Sequence, residues 1–116
     1  EALYQSTANL NTAVGFQSAR ATTSGAQNAS FGASSLFTNT TGSNNTAVGY
    51  QAGYTNSTGA NVTAIGYKAL YSATVNNNTA LGYNVASGTT SGQHNVAIGG
   101  NNAGSQTTFV ANTTGS

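Results

Sequence analysis

Apolar residues in this chain do not gather into runs; they return at a fixed interval. Six glycines each follow one aliphatic or aromatic side chain, as Val14-Gly15, Phe31-Gly32, Val48-Gly49, Ile65-Gly66, Leu81-Gly82 and Ile98-Gly99, and the gaps between these glycines are 17, 17, 17, 16 and 17 residues. Aligned on them, the chain falls into columns. One place before the apolar residue stands Ala13, Ser30, Ala47, Ala64, Ala80 and Ala97, always small. Just after the glycine comes a ring column of Phe16, Tyr50, Tyr67 and Tyr83, broken by Ala33 and Gly100. Thr12 to Phe16 alternates as a strand does, with Thr12, Val14 and Phe16 on one face and Ala13 and Gly15 on the other. Thr23-Ser24-Gly25, Thr40-Thr41-Gly42 and Ser57-Thr58-Gly59 supply turn chemistry between such strands. No apolar spacing of 3.6 persists, and Gly, Asn and β-branched residues are too frequent for a helix.

One strand and one turn per 17 residues predict an all-β chain: a parallel β-solenoid of about six to seven coils of 16–17 residues. Residues 1–116 form a single module, with regular coils over 1–100 and an irregular junction or loop over 100–116. Coils stack at roughly 4.8 Å, so like side chains lie above one another in files. Val14, Phe31, Val48, Ile65, Leu81 and Ile98 become an apolar ladder. Asn11, Asn28, Asn45, Asn78 and Asn95, with Val62 standing in the fourth coil, become an amide ladder. A coil of 17 residues encloses little volume, so a lone roll is marginal and self-association is expected, through the small-residue face or the tyrosine file.

Composition sharpens this picture. Leu, Ile, Val and Phe together make 18 of 116 residues, too few for a thick oily core. Disorder usually also needs high net charge and much Pro, whereas here Pro is absent and the charge is +1. The backbone must therefore supply most of the order. Arg20 and Lys68 are the only strong bases and Glu1 the only acid, so there is no electrostatic footprint for nucleic acid or an anionic membrane. There is no cysteine, and no apolar run approaches the roughly 18 residues of a membrane span.

The segments "NTAVGFQS" (11–18), "NTAVGYQA" (45–52), "TAIGYKAL" (63–70) and "NVAIGG" (95–100) resemble the head repeats of trimeric autotransporter adhesins, and similar arrays in phage tail fibres and other surface fibres. The resemblance covers residues 1 to about 100. It implies a left-handed β-roll, three chains per head, and an extracellular, cell-surface or virion-fibre location. The coil is longer here, charge is nearly absent, and no stalk coiled coil is visible.

The two ends of the sequence invite joining. Gly115-Ser116 followed by Glu1-Ala2-Leu3-Tyr4 matches Gly66-Tyr67-Lys68-Ala69-Leu70-Tyr71, which suggests head-to-tail tiling of copies. A competing register matches 109–116 to 36–43 and makes 100–108 a loop.

Candidate chemistry is thin. With one carboxylate and one imidazole, His94, no acid–base pair, carboxylate metal cage or Ser-His-Asp triad can be assembled within one chain, so neither catalysis nor a cofactor is expected. Arg20 and Lys68 read as tolerated surface variants. Tyr50, Tyr54, Tyr67, Tyr71 and Tyr83 read as packing aromatics or as an adhesive stripe for a host-surface glycan or matrix. Asn-x-Ser/Thr sequons occur at Asn28, Asn39, Asn44, Asn56, Asn61, Asn77 and Asn112. The leading expectation is a structural module of an extracellular fibre, partnered by copies of itself as a homotrimer or head-to-tail filament. The alternatives are a receptor-binding adhesin head or tail-fibre segment, and an ice-binding solenoid using the Thr/Ser columns.

Overall fold

The computed structural model describes residues 1–74, 76–88 and 92–100, and the backbone of one further strand at 109–112. Six short strands, β1 (Thr12–Val14), β2 (Ala29–Phe31), β3 (Thr46–Val48), β4 (Thr63–Ile65), β5 (Thr79–Leu81) and β6 (Asn95–Ile98), lie side by side in chain order. All five pairings among them are parallel. The chain is therefore an all-β solenoid with about five turns between its first and sixth strands, and no helix occurs among the described residues. The register is the one the repeat predicts: Val14, Phe31, Val48, Ile65, Leu81 and Ile98 stand in a single row.

Each strand stops where the anchor glycine begins. These six glycines hold φ between 125° and 141°, a region L side chains rarely adopt, so the extended backbone turns sharply there. They also touch their counterparts in the next coil. A Cβ on Gly15 would lie 2.7 Å from the Gly32 carbonyl carbon, and one on Gly32 would lie 2.6 Å from the Gly49 oxygen. The chain then rounds a corner through left-handed residues such as Gln51 (φ 55°), Lys68 (φ 53°) and Leu70 (φ 49°). Each such non-glycine residue costs about 1 kcal/mol, which the bonds between coils must offset. Those bonds run along the stack, for example Gln51 N–H to Ala33 O at 3.0 Å and Leu70 N–H to Val85 O at 3.0 Å.

The interior is built from small residues. Ser30, Ala47, Ala64, Ala80 and Ala97, each the residue before the last of its strand, are buried. They face two further files, Ser18, Ser35, Ala52, Ala69, Val85 and Ala19, Leu36, Gly53, Leu70, Ala86. The second alternates large with small because one rung spacing cannot hold two leucines: Leu36 Cδ2 spreads over Gly53, where an added Cβ would meet it at 3.0 Å. Where Ser replaces Ala in this interior it does so as a group, with Ser18 donating to Ser30 Oγ at 2.8 Å and lying 3.1 Å from Ser35 Oγ. The small-residue face is thus the inside of the roll. It is not a face by which another chain can approach, which corrects one of the two association surfaces expected from sequence; the reason is that the small volume inside one coil admits only small side chains from the strands.

The asparagine column behaves as a clamp on backbone more than as an amide-to-amide ladder. Asn28 Nδ2 donates to Gly42 O at 2.9 Å and Asn45 Nδ2 to Gly59 O at 2.8 Å. Among the described residues, only Asn28 Nδ2 to Asn11 Oδ1, at 3.2 Å, joins two of the carboxamides directly.

The strand β7 (Phe109–Asn112) departs from both registers read for the tail. It pairs antiparallel with β6, placing Phe109 beside Ile98 and Asn112 beside Asn95, and so lies along the outer edge of β6. The junction and loop expected at 101–108 and 113–116, and column members Val75, Thr90 and Ser91, lie outside the described residues.

Candidate association face

Strand alternation that turns alanine inward must turn its neighbours outward. The apolar ladder is therefore on the surface: Val14, Phe31, Val48, Leu81 and Ile98 are 38–56% exposed, and Ile65 is half-buried. Five rung spacings make this row about 24 Å long. Beside it, two residues further along each coil, runs the exposed ring file of Phe16, Tyr50, Tyr67 and Tyr83. The two files flank the anchor glycines and are both exposed, and exposed apolar patches of this size are typical of interaction surfaces.

The rings stack along the axis. Tyr50 and Tyr67 have centroids 5.6 Å apart with planes inclined 18°, and Tyr67 and Tyr83 are 5.2 Å apart at 10°. A second, half-buried file stacks Phe37, Tyr54 and Tyr71 at 5.1 Å per step, with angles of 2° and 9°. Stacked tyrosines turn their faces to one another and their edges to solvent. Broad ring faces, the surface a pyranose packs against, are open only where a file is interrupted or ends.

Arg20 and Lys68 do more than sequence reasoning allowed. Arg20 occupies a ring position in the second file, its guanidinium 5.9 Å from the Tyr4 ring and 5.7 Å from Phe37. A planar cation can replace a ring in such a stack. Lys68 Nζ sits 5.4 Å from both Tyr67 and Tyr71, joining the two files. The signal was present for Arg20, which shares a column with Phe37, Tyr54 and Tyr71.

Other expected features fall elsewhere. His94 ends an outer row behind Asn44, Asn61 and Asn77, in which Asn61 Nδ2 donates to Asn77 Oδ1 at 3.0 Å and Asn77 Nδ2 lies 3.3 Å from His94 Nε2. In the Thr/Ser columns Thr23 Oγ1 donates to Thr40 O at 3.1 Å and Thr40 Oγ1 to Ser57 O at 2.9 Å, while Ser24, Thr41 and Thr58 are exposed. Among the described residues no group of three His, Asp, Glu or Cys side chains could hold a metal ion, and no helix is long and apolar enough to cross a membrane. Compared with family models, with curated proteins and with solved structures, the chain shows no match.

Proposed function

We propose that this chain is a structural module of an extracellular fibre, and that its partner is further copies of itself, joined laterally through the apolar and aromatic face. The observation that carries this reading is the outward row from Val14 to Ile98, a regular apolar surface left uncovered by the chain that makes it. A partner must match a ladder repeating at every coil, and a second copy has the same pitch by construction. The near-absence of charge supports a surface that associates by shape and apolar contact rather than by ion pairing. Backbone bonds running along the axis support a load-bearing role in which no chemistry is performed. Three chains is the assembly order that the sequence resemblance implies.

Sedimentation velocity with negative-stain microscopy tests the proposal. Lateral assemblies or fibres are expected from the unaltered chain. Val48→Asn with Ile65→Asn, outward on adjacent coils, is expected to release monomers whose β circular dichroism is unchanged. A monodisperse monomer of the unaltered chain at high concentration overturns the reading. A glycan or matrix array reports separately whether the fibre also adheres.

A further inference from the structure

The sixth coil has Gly100 in place of a ring, but one coil exchanges the two residue types of the outer face. In the first, third, fourth and fifth coils the ladder residue is aliphatic and the ring-file residue aromatic: Val14 with Phe16, Val48 with Tyr50, Ile65 with Tyr67, Leu81 with Tyr83. In the second coil the two are exchanged, so the ladder carries Phe31 and the ring file carries Ala33. Each of these five coils still has one ring on the face, but in the second it stands two residues out of place.

The exchange leaves a hole and a knob. Backbone bonds put Ala33 on the rung between Phe16 and Tyr50: Ser34 N–H donates to Phe16 O at 2.8 Å and Gln51 N–H to Ala33 O at 3.0 Å. Successive rings in this file are 5.2–5.6 Å apart, so Phe16 and Tyr50, two rungs apart, leave a gap of roughly 10 Å, the room of one missing ring. Exposure follows the count of ring neighbours: Tyr67 with two is 41% exposed, Tyr50 and Tyr83 with one each are 47% and 61%, and Phe16 with none is 68%. Phe31 does not fill the gap. It belongs to none of the four stacked pairs among the described residues, and it remains 40% exposed.

We propose that Phe31 of one copy inserts over Ala33 of a neighbouring copy, between that neighbour's Phe16 and Tyr50, and thereby sets the axial register of the lateral assembly. This rests on the self-association proposed above and names its register key. Copies that run the same way about an axis parallel to the fibre present equal rungs at equal heights, so the knob on the second coil meets the hole on the second coil. A face of otherwise identical rungs has little to prevent it from slipping by one coil. A slip by one coil drives Phe31 against Phe16 or Tyr50 and leaves the hole over Ala33 empty, so a single exchanged pair discriminates against it.

The test uses Ser24→Cys, on an exposed turn away from the face of a chain with no other cysteine, spin-labelled to measure distances between copies. The labelled chain is expected to associate and to show one narrow distance distribution. Phe31→Val, which removes the knob, and Ala33→Tyr, which fills the hole, are each expected to weaken association about tenfold or more. The double variant restores the pattern of the other coils, so it is expected to recover association while showing several distances, one for each slipped register. Circular dichroism checks folding, and Ala33→Leu replaces Ala33→Tyr if the latter misfolds. Association and a single distance that survive both single variants overturn the register key alone. A labelled chain that stays monomeric overturns the association reading, and the key with it.

Discussion

The main-chain N–H of Asn45 donates to Oδ1 of Asn28, 17 residues earlier, at 2.9 Å, and Asn28 Nδ2 donates to Gly42 O in the coil of Asn45. One carboxamide thus satisfies a donor and an acceptor of the next coil at the corner where the strand begins. The relationship recurs, Val62 N–H bonding Asn45 Oδ1 at 2.9 Å and Asn95 N–H bonding Asn78 Oδ1 at 2.9 Å. Asn45→Ala is expected to lose both bonds inside a buried corner and to cost about 2–4 kcal/mol. The Asn39 side chain makes a single bond, Nδ2 to Gly42 O at 3.0 Å, and its buried Oδ1 has no partner. Asn39→Ala should therefore cost only about 1 kcal/mol. Urea unfolding of the two variants at one protein concentration checks the order; equal losses would show that the second bond of Asn45 adds nothing.

Two glycines separate close approach from mere turn propensity. A Cβ on Gly42 would collide with the carbonyl of Gly59 and with Asn39 Oδ1, and would meet Asn45 Nδ2 at 3.0 Å. A Cβ on Gly88 meets nothing within 4 Å. Gly42→Ala is expected to destabilise by about 3 kcal/mol or more, through overpacking against backbone that cannot yield, and Gly88→Ala to lie within about 0.5 kcal/mol of the parent. Thermal melts followed by circular dichroism distinguish them.

Sequons divide by what their carboxamides hold. Asn28, Asn39 and Asn56 are buried, and each spends Nδ2 on a glycine carbonyl. Asn44 and Asn61 face solvent. A transferase that recognises Asn-x-Ser/Thr, offered the folded chain and a nucleotide-activated hexose, is expected to modify Asn44 and Asn61 and to leave the buried three untouched. Denatured chain should accept sugar at the buried sites and then fail to refold, because the attached ring has no room between coils. Intact mass and peptide mapping read the result.

Ionic strength should matter little. With two basic residues and one acidic residue in the chain, neither folding nor the proposed lateral association has much charge to screen. Melting temperature and sedimentation coefficient are expected to stay constant between about 20 and 300 mM sodium chloride. A strong dependence on salt in that range would place the driving force in charges rather than in the outward ladder.

The repeat made most of the architecture legible before any coordinates. A glycine every 16–17 residues, each preceded by an apolar side chain, leads to stacked coils and to the common row of Val14 and Ile98, because a parallel ladder admits only like above like. What period could not convey was direction. Alternation says that Val48 and Ala47 face opposite ways but not which of them faces in; the volume inside one coil decides, and it admits Ala47, Ala64 and Ala80 at 0% exposure while expelling Val48. Arg20 reads as a stray cation until its neighbours on adjacent rungs prove to be rings.

From sequence alone, then, come the period, the strand positions and the register, since each follows from residue type at fixed spacing, and with them the scarcity of ionisable groups. Three-dimensional structure decided which face is core and which is surface, which atoms the asparagines hold, that the rings stack face to face, and that Phe109–Asn112 runs back antiparallel along β6. The physical reason is that spacing determines which residues share a file, whereas the side to which a file turns depends on how much volume the closed coil leaves for it.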